Sequence, residues 1–454
     1  MMRAPGAGPT TAPPGSNRTG WWLAAAVLLG FVLRLVFGLA YWVDKPLTLD
    51  EQEYLLLAHN LAHGRGFSYA SPESGRVEGR HVGRAPLYPL WLAGISVAVP
   101  GSAIRGDRLP ASVPTEVKVV QALLGCALIW LVGWWATRVA GPGAAAVAGR
   151  QLAGRHPAVA GVAAAFLAAV YPPLVWIGSY ALSESLYAVL ALLAALVIDR
   201  AMTPTTAVRS YGLALAGGLL TGLAALVRPA ILLFLALVAA WGLVRRRGWW
   251  LAAVLAGAML VVFPWTARNH AVYGRFVLVA SEGGVTFWTG NNRLARGEGD
   301  LAANLEMKRA ALEIERAAGN ATPEALEGIF YRAALDDIRS DPVRWIDLLA
   351  RKAFYTMVPV GPSYTLHSTR FVVASVASYL LVLPFAVVGA WRARGCTTPP
   401  VALWLLAAAS VMVCLVFFPQ ERFRIPVIDP VLIVYAAACA PAMLTDREGS
   451  AGRR

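Results

Sequence analysis

Charge is scarce in this chain. Only 15% of its 454 residues are Asp, Glu, Lys or Arg, and 57% are hydrophobic, whereas an average soluble domain is about 25% charged. That excludes an ordinary water-soluble enzyme, and it excludes disorder. Cysteine is scarce too. Cys126, Cys396, Cys414 and Cys439 form no C-x-x-C spacing, so neither a zinc site nor a disulfide framework is indicated. HExxH and every nucleotide-binding fingerprint are missing, and Gly297-Glu298-Gly299 is not a Walker loop. Chemistry on ATP or a nucleotide sugar from the cytosol is therefore disfavoured. No repeat of fixed period occurs, which disfavours a solenoid.

What the chain has instead is a succession of apolar runs near the ~20 residues that a membrane span needs. They predict spans at 20–41, 116–138, 157–176, 180–200, 210–227, 229–244, 249–266, 371–391, 401–418 and 425–444. With the N-terminus inside, the inside segments hold Arg3, Arg18, Arg138, Arg150, Arg155, Arg200, Arg209, Arg245, Arg246, Arg247, Arg392, Arg394, Arg447, Arg453 and Arg454. Their only acids are Asp199, Asp446 and Glu448, and Lys45, Lys118, Lys308 and Lys352 all fall outside. This is the positive-inside bias. It accounts for most of the net charge of +14 without a nucleic-acid partner.

The expected fold class is all-α, a polytopic transmembrane helical bundle of about 10 spans with two large extracytoplasmic segments. It would be a multi-pass protein of the cell (inner) membrane with both termini cytoplasmic. Residues 1–19 read as a disordered tail, and 20–266 as an N-terminal transmembrane module carrying the extracytoplasmic loop 42–115. Residues 267–370 read as an extracytoplasmic helical segment, 371–444 as C-terminal transmembrane helices and 445–454 as a tail. The first apolar run is too long for a signal-peptide core and reads as an anchor that stays.

Within the first loop, Asp50 to His63 reads as a short helix ended by Gly64, with an apolar stripe of Tyr54, Leu57, Ala58 and Leu61. The apolar stretch 86–99 is too short to span and suits an interfacial or re-entrant helix. In the second segment, helices are expected over 301–317 and 323–338, and Pro323 and Pro342 sit where helices would start.

A few charges fall inside spans, where each is costly unless it faces a cavity. Arg34, Glu184, Arg228 and Asp429 lie in the outer halves of their spans or at the outer ends; Lys118, Arg268, Arg422 and Arg424 lie at outer ends. Snorkelling accounts for any one of them. It fits Arg34 poorly, because that residue lies well below the end of its span. A polar cavity opening outward fits the set better.

Asp50-Glu51 is the strongest chemical feature. A carboxylate at a membrane face, backed by an apolar helix, serves as a general base if it reaches an acceptor hydroxyl. The plainer roles are helix capping by Asp50 and a favourable dipole interaction for Glu51. Arg84 precedes the interfacial helix, where it suits a lipid phosphate held bidentately; a snorkelling arginine is the alternative. His59 and His63 are four apart on one helix, a spacing that can hold a metal, but no third ligand follows. Asn320-Ala321-Thr322 has the form of a glycosylation acceptor.

Taken in order, these motifs resemble bacterial membrane glycosyltransferases of the dolichyl-phosphate-mannose protein mannosyltransferase superfamily (glycosyltransferase family 39). That superfamily includes the aminoarabinose transferases that modify lipid A. The resemblance runs through Asp50-Glu51 with Tyr54 and Ala58, Gly64-Arg65-Gly66-Phe67, and Arg84-Ala85-Pro86-Leu87-Tyr88-Pro89. It continues in Ser183-Glu184-Ser185-Leu186, Arg228-Pro229, and Pro264-Trp265-Thr266-Ala267-Arg268-Asn269. It ends with Gly274-Arg275-Phe276, Gly290-Asn291-Asn292 and Arg422-Phe423-Arg424-Ile425-Pro426.

The resemblance implies a GT-C-like bundle and a polyprenyl-phosphate sugar donor. It implies transfer with inversion to an extracytoplasmic glycan, lipid or protein acceptor. The leaving group, a lipid phosphate, is already a good one, so no cofactor and no metal is required. The resemblance makes Asp50 the catalytic base with Glu51 beside it. Arg84, Arg228, Arg422 and Arg424 would bind the donor phosphate, and Arg34, Glu184, Lys118 and Asp429 would be polar groups of the cavity. One departure is Gly83, where some relatives carry an acid before the basic residue. The competing function is a lipid-linked sugar flippase or another polytopic transporter. Transporters often show internal repeats and midplane polar groups, and neither is evident here. A polysaccharide ligase or polymerase would be a close chemical cousin.

Overall fold

The computed structural model describes residues 16–77, 83–141, 156–203, 206–297, 299, 304–358, 368–394 and 399–438. Among them the architecture is all-helical, and the one β pairing is an isolated bridge between Ala70 and Val77. Six helices are long and apolar enough to cross a membrane: 18–41, Thr115–Val139, Glu184–Met202, Ala207–Val227, Gly248–Tyr273 and Thr369–Ala393. A seventh crossing is formed if the bent pair Pro157–Val170 and Pro172–Ser179 is one span, and four shorter apolar helices occupy Leu87–Ala98, Pro229–Val244, Val401–Val416 and Ile428–Ala438. An apolar helix thus stands at every expected span. The first helix begins at Ser16, so the last residues of the expected tail 1–19 are helical; the rest of that tail, the tail 445–454, Cys396 and Cys439 lie outside the described residues.

Small residues bring the bundle together. Gly218 and Gly222 lie one turn apart on Ala207–Val227, and Gly257 faces them from Gly248–Tyr273. A Cβ on Gly218 would overlap the Val254 carbonyl, and one on Gly257 the Leu215 carbonyl. Close backbone approach of this kind drives helix association where lipid removes the hydrophobic incentive.

The bent pair turns through 64° at Tyr171-Pro172-Pro173. Neither proline has an N–H, so the carbonyls four residues earlier, Ala168 and Ala169, lose their helical donors. Arg34 supplies replacements: Nη2 donates to Ala168 O at 3.3 Å, and Nη1 donates to Ala169 O at 3.4 Å and to Gly30 O at 2.9 Å.

The two inter-span segments are helical as well. The first holds Leu49–Ala62 and Leu87–Ala98, which pack on each other through Tyr54 and Tyr88, ring centroids 4.9 Å apart. The second holds Gly283–Asn291, Leu305–Ala317, Pro323–Ser340 and Pro342–Met357 around a small core of Trp288, Met307, Leu326, Phe330 and Leu348. Residues 301–303 lie outside the description. Both prolines sit at helix starts, as expected. The Thr322 hydroxyl accepts from Ala325 N at 3.4 Å, and the Asp341 carboxylate from Arg344 N at 3.0 Å.

Candidate functional site

Thr48 begins the site. Its hydroxyl accepts from Glu51 N, and Glu51 Oε2 reaches back to accept from Thr48 N at 2.8 Å. This capping box replaces the expected cap at Asp50: Thr48 is the capping residue, because its hydroxyl stands at the non-helical entry position. Glu51 then turns into the bundle, where Oε1 accepts from Ala181 N at 2.9 Å. Burial pushes its carboxyl up, against the pull of those hydrogen bonds. Asp50, about 100° round the helix, faces the other way.

Asp50 meets two arginines. Arg84 Nη2 donates to Oδ1 at 2.6 Å, and Arg422 Nη1 donates to Oδ2. Burial raises the carboxyl's pKa, but Arg422 and Arg84 together outweigh it and hold Asp50 well below the usual carboxylate range. Arg84 spends its other two nitrogens on carboxylates as well, with Nε to Glu53 Oε2 at 2.6 Å and Nη1 to Glu282 Oε2 at 2.8 Å. Burial works against its charge, and Glu282 and Asp50 more than offset it. The Arg84 backbone N–H donates to the Tyr69 hydroxyl at 2.8 Å. Just before it, Gly83 O accepts from Ser281 N at 3.0 Å. A Cβ on Gly83 would run into the Ser281 side chain, which gives this glycine a packing reason.

Arg228 ends the helix Ala207–Val227 and pairs through Nη1 with Glu184 Oε1 at 2.6 Å. Its guanidinium lies over Phe423 at 5.1 Å. Arg422 Nε donates to Gln420 Oε1 at 2.9 Å. Asp50, Arg84, Glu184, Arg228 and Arg422 all line one cavity of about 510 Å³. Apolar side chains of two short helices, Leu232, Leu233, Phe234, Leu406, Ala409 and Val413, line it as well.

The other expected site residues lie elsewhere. Arg34 serves the proline bend. Lys118 Nζ donates to Trp42 O at 2.7 Å and Gly38 O at 3.1 Å, at the π-helical turn Phe37–Tyr41. Arg424 pairs with Asp429 at 2.7 Å behind the cavity, its guanidinium 4.2 Å from the Tyr379 ring centroid. None of these four, nor Glu51, lines the cavity.

His59 and His63 stack with centroids 4.1 Å apart; His59 Nδ1 donates to Ile104 O at 2.9 Å and His63 Nδ1 to His59 O at 2.8 Å. Among the described residues, no three His, Cys, Asp or Glu side chains are grouped to hold a metal.

Sequence reasoning missed Glu53, Glu282, Glu327 and Tyr331. Glu53 stands three residues after Asp50 on the same helix face, so its place was readable. Glu282, Glu327 and Tyr331 line the cavity from the second inter-span segment, and no spacing in the sequence connects them to the first. Burial pushes the Glu327 carboxyl up, although it accepts the backbone N–H groups of Gly283 and Gly284.

No known family's sequence pattern matches the chain, and no characterised protein matches it by sequence. Its fold is similar to that of the archaeal oligosaccharyltransferase AglB from Archaeoglobus fulgidus, solved with an inhibitory peptide and a dolichol-phosphate. The TM-score is 0.51 at 14% identity, over 94% of this chain and 51% of that one. An Archaeoglobus fulgidus oligosaccharyltransferase solved with zinc and sulfate gives a TM-score of 0.50 at 15% identity, over 94% and 49%. A weaker likeness is to ArnT from Cupriavidus metallidurans bound to undecaprenyl phosphate, with a TM-score of 0.43 at 14% identity over 94% and 79%. The chain spans about half the length of the two oligosaccharyltransferase chains.

Proposed function

We propose that this protein is a membrane glycosyltransferase that moves a sugar from a polyprenyl-phosphate donor to an extracytoplasmic acceptor hydroxyl, on a glycolipid, polysaccharide or protein, with inversion. One observation carries the reading: a single cavity is lined by apolar side chains from two short helices and by three arginines, Arg84, Arg228 and Arg422, set among the carboxylates of Asp50, Glu184, Glu282 and Glu327. That shape suits a ligand with a hydrocarbon tail and an anionic head. The fold shared with an oligosaccharyltransferase solved with a dolichol-phosphate is in keeping with that donor class.

The chemistry follows from the side chains. The acceptor oxygen attacks the anomeric carbon on the face opposite the phosphate. The bond from that carbon to the phosphate oxygen breaks, and polyprenyl phosphate leaves. Arg228 and Arg422 take the phosphate charge as it develops, with Arg84 beside them. The acceptor proton passes to Asp50. With the site empty, Arg422 lowers the basicity of Asp50; a phosphate that draws Arg422 toward itself restores it, which couples donor binding to base strength. Arg424 and Asp429 support the cavity from behind.

The test is purified protein given a labelled lipid-linked sugar, with release of free polyprenyl phosphate as the readout. Release that depends on acceptor is expected. Arg84→Ala should weaken donor use, and Arg84→Lys should keep part of it, since charge survives while the fork is lost. No release, together with movement of intact donor between the leaflets of vesicles, would replace the transferase with a flippase.

A further inference from the structure

We infer that Glu282 is a positioning residue for the transfer, acting through Arg84 to fix the Asp50 carboxylate in the cavity. The inference rests on the transferase reading. Three carboxylates from two distant parts of the chain share one guanidinium: Asp50 on Nη2 at 2.6 Å, Glu53 on Nε at 2.6 Å and Glu282 on Nη1 at 2.8 Å. Asp50 and Glu53 lie on one helix, three residues apart. Alone, they would let the guanidinium move with that helix as a unit. Glu282 holds the third nitrogen from the other inter-span segment and sets the plane of the fork against an independent support.

The backbone fixes that support. Ser281 N donates to Gly83 O at 3.0 Å, which ties the residue before Glu282 to the residue before Arg84. The turn that follows begins the helix Gly283–Asn291, whose first N–H groups Glu327 accepts. Glu282 is thus tied by backbone on one side and a capped helix on the other. Its Oε1 makes no hydrogen bond among the described residues, and the side chain lines the cavity.

Two effects follow from neutralising it. Arg84 loses one of three anchors, so Asp50 is held less sharply; misplacing a reacting group costs on the order of 10²-fold in rate. The charge that Arg84 directed at Glu282 also falls more heavily on Asp50 and lowers its basicity. Phosphate binding gains from the same change, since one repelling carboxylate is gone.

Glu282→Gln should therefore lower kcat by roughly 10-fold to 10²-fold while leaving the donor KM unchanged or smaller. The acid limb of the kcat–pH profile should move to lower pH, because Asp50 protonates later. Glu282→Asp should recover part of kcat. A structural role alone would lower the amount of folded protein without moving the limb. Wild-type kcat in Glu282→Gln, or a loss confined to donor KM, would overturn the assignment.

A second measurement needs no substrate. In thermal unfolding, Glu282→Gln and Arg84→Gln should be non-additive in a double-mutant cycle; additivity would remove the clamp. If the wild-type protein releases no polyprenyl phosphate, the transferase reading fails, and the cycle still decides whether Glu282 holds Arg84.

Discussion

Arg34 is buried and Arg84 half-buried in a largely apolar protein, and they differ in what they touch. Arg34 is 4% exposed and donates only to backbone carbonyls, two of them stripped of their helical donors by Pro172 and Pro173. The Arg84 guanidinium donates to three carboxylates, of which Asp50 and Glu282 line a cavity. Carbonyls of a bent helix cannot leave, so Arg34 is committed to the bend. Carboxylates around an open cavity compete with any anion that enters, so the Arg84 cluster can rearrange. A buried charge does not by itself mark a functional site; the chemistry of its partners does.

The largest expected effect lies on the cavity side of that contrast. Asp50→Asn keeps the size of the side chain and removes its basicity, so turnover should fall by the ~10²–10⁴-fold typical of losing acid–base catalysis. Glu51→Gln should behave in the opposite way. Its carboxylate accepts from Thr48 N, the Thr48 hydroxyl and Ala181 N, and an amide nitrogen facing one of those donors costs about 1–3 kcal/mol. Glu51→Gln should thus lose stability and keep its turnover per folded molecule. Release of polyprenyl phosphate and thermal unfolding, measured on both variants, separate the two neighbours. An inactive, stable Glu51→Gln with an active Asp50→Asn would reverse their roles.

The next effect tests the bend. Arg34→Met leaves the Ala168 and Ala169 carbonyls without their donors, at a net cost of about 1–3 kcal/mol after the guanidinium's own desolvation is recovered. Turnover per folded molecule should hold. Pro172→Ala returns an N–H to Ala168 O, so Arg34→Met should cost less in that background. Equal costs in both backgrounds would mean that Arg34 does something other than replace the proline donors.

The helices were legible because span length, helix-starting prolines and small-residue contacts are local or periodic signals. The capping box was legible too, since Thr48 and Glu51 have the T-x-x-E spacing; the acidic pair at 50–51 drew attention away from it. Asp50, Arg84, Arg228 and Arg422 could be nominated one by one as charges at the ends of apolar runs, and they meet in one cavity. The partners of Arg34 could not be read, because they depend on which helix its side chain reaches. Glu282 could not be read either, since only a backbone pairing between residues 83 and 281 brings it to Arg84.

A buried lysine sharpens the comparison further. Lys352 is fully buried on Pro342–Met357, and its Nζ donates to Asn291 Oδ1 at 2.9 Å and Leu415 O at 3.1 Å. Its partners are neutral, like those of Arg34. A lysine, unlike an arginine, can give up its proton. Burial pushes it down to about 7, while the unfolded chain keeps a lysine near ~10.4. Between those values the unfolded state binds more protons, so stability falls as pH is lowered through the window and levels off below it. The slope is about 1.4 kcal/mol per pH unit at most. Lys352→Met has no proton to take up and should lack this component. The unfolding midpoints of wild type and variant should therefore diverge between pH 7 and pH 9, the wild type gaining as pH rises. Parallel midpoints would mean that Lys352 keeps its charge in the folded protein, held as firmly by neutral oxygens as Arg34 is.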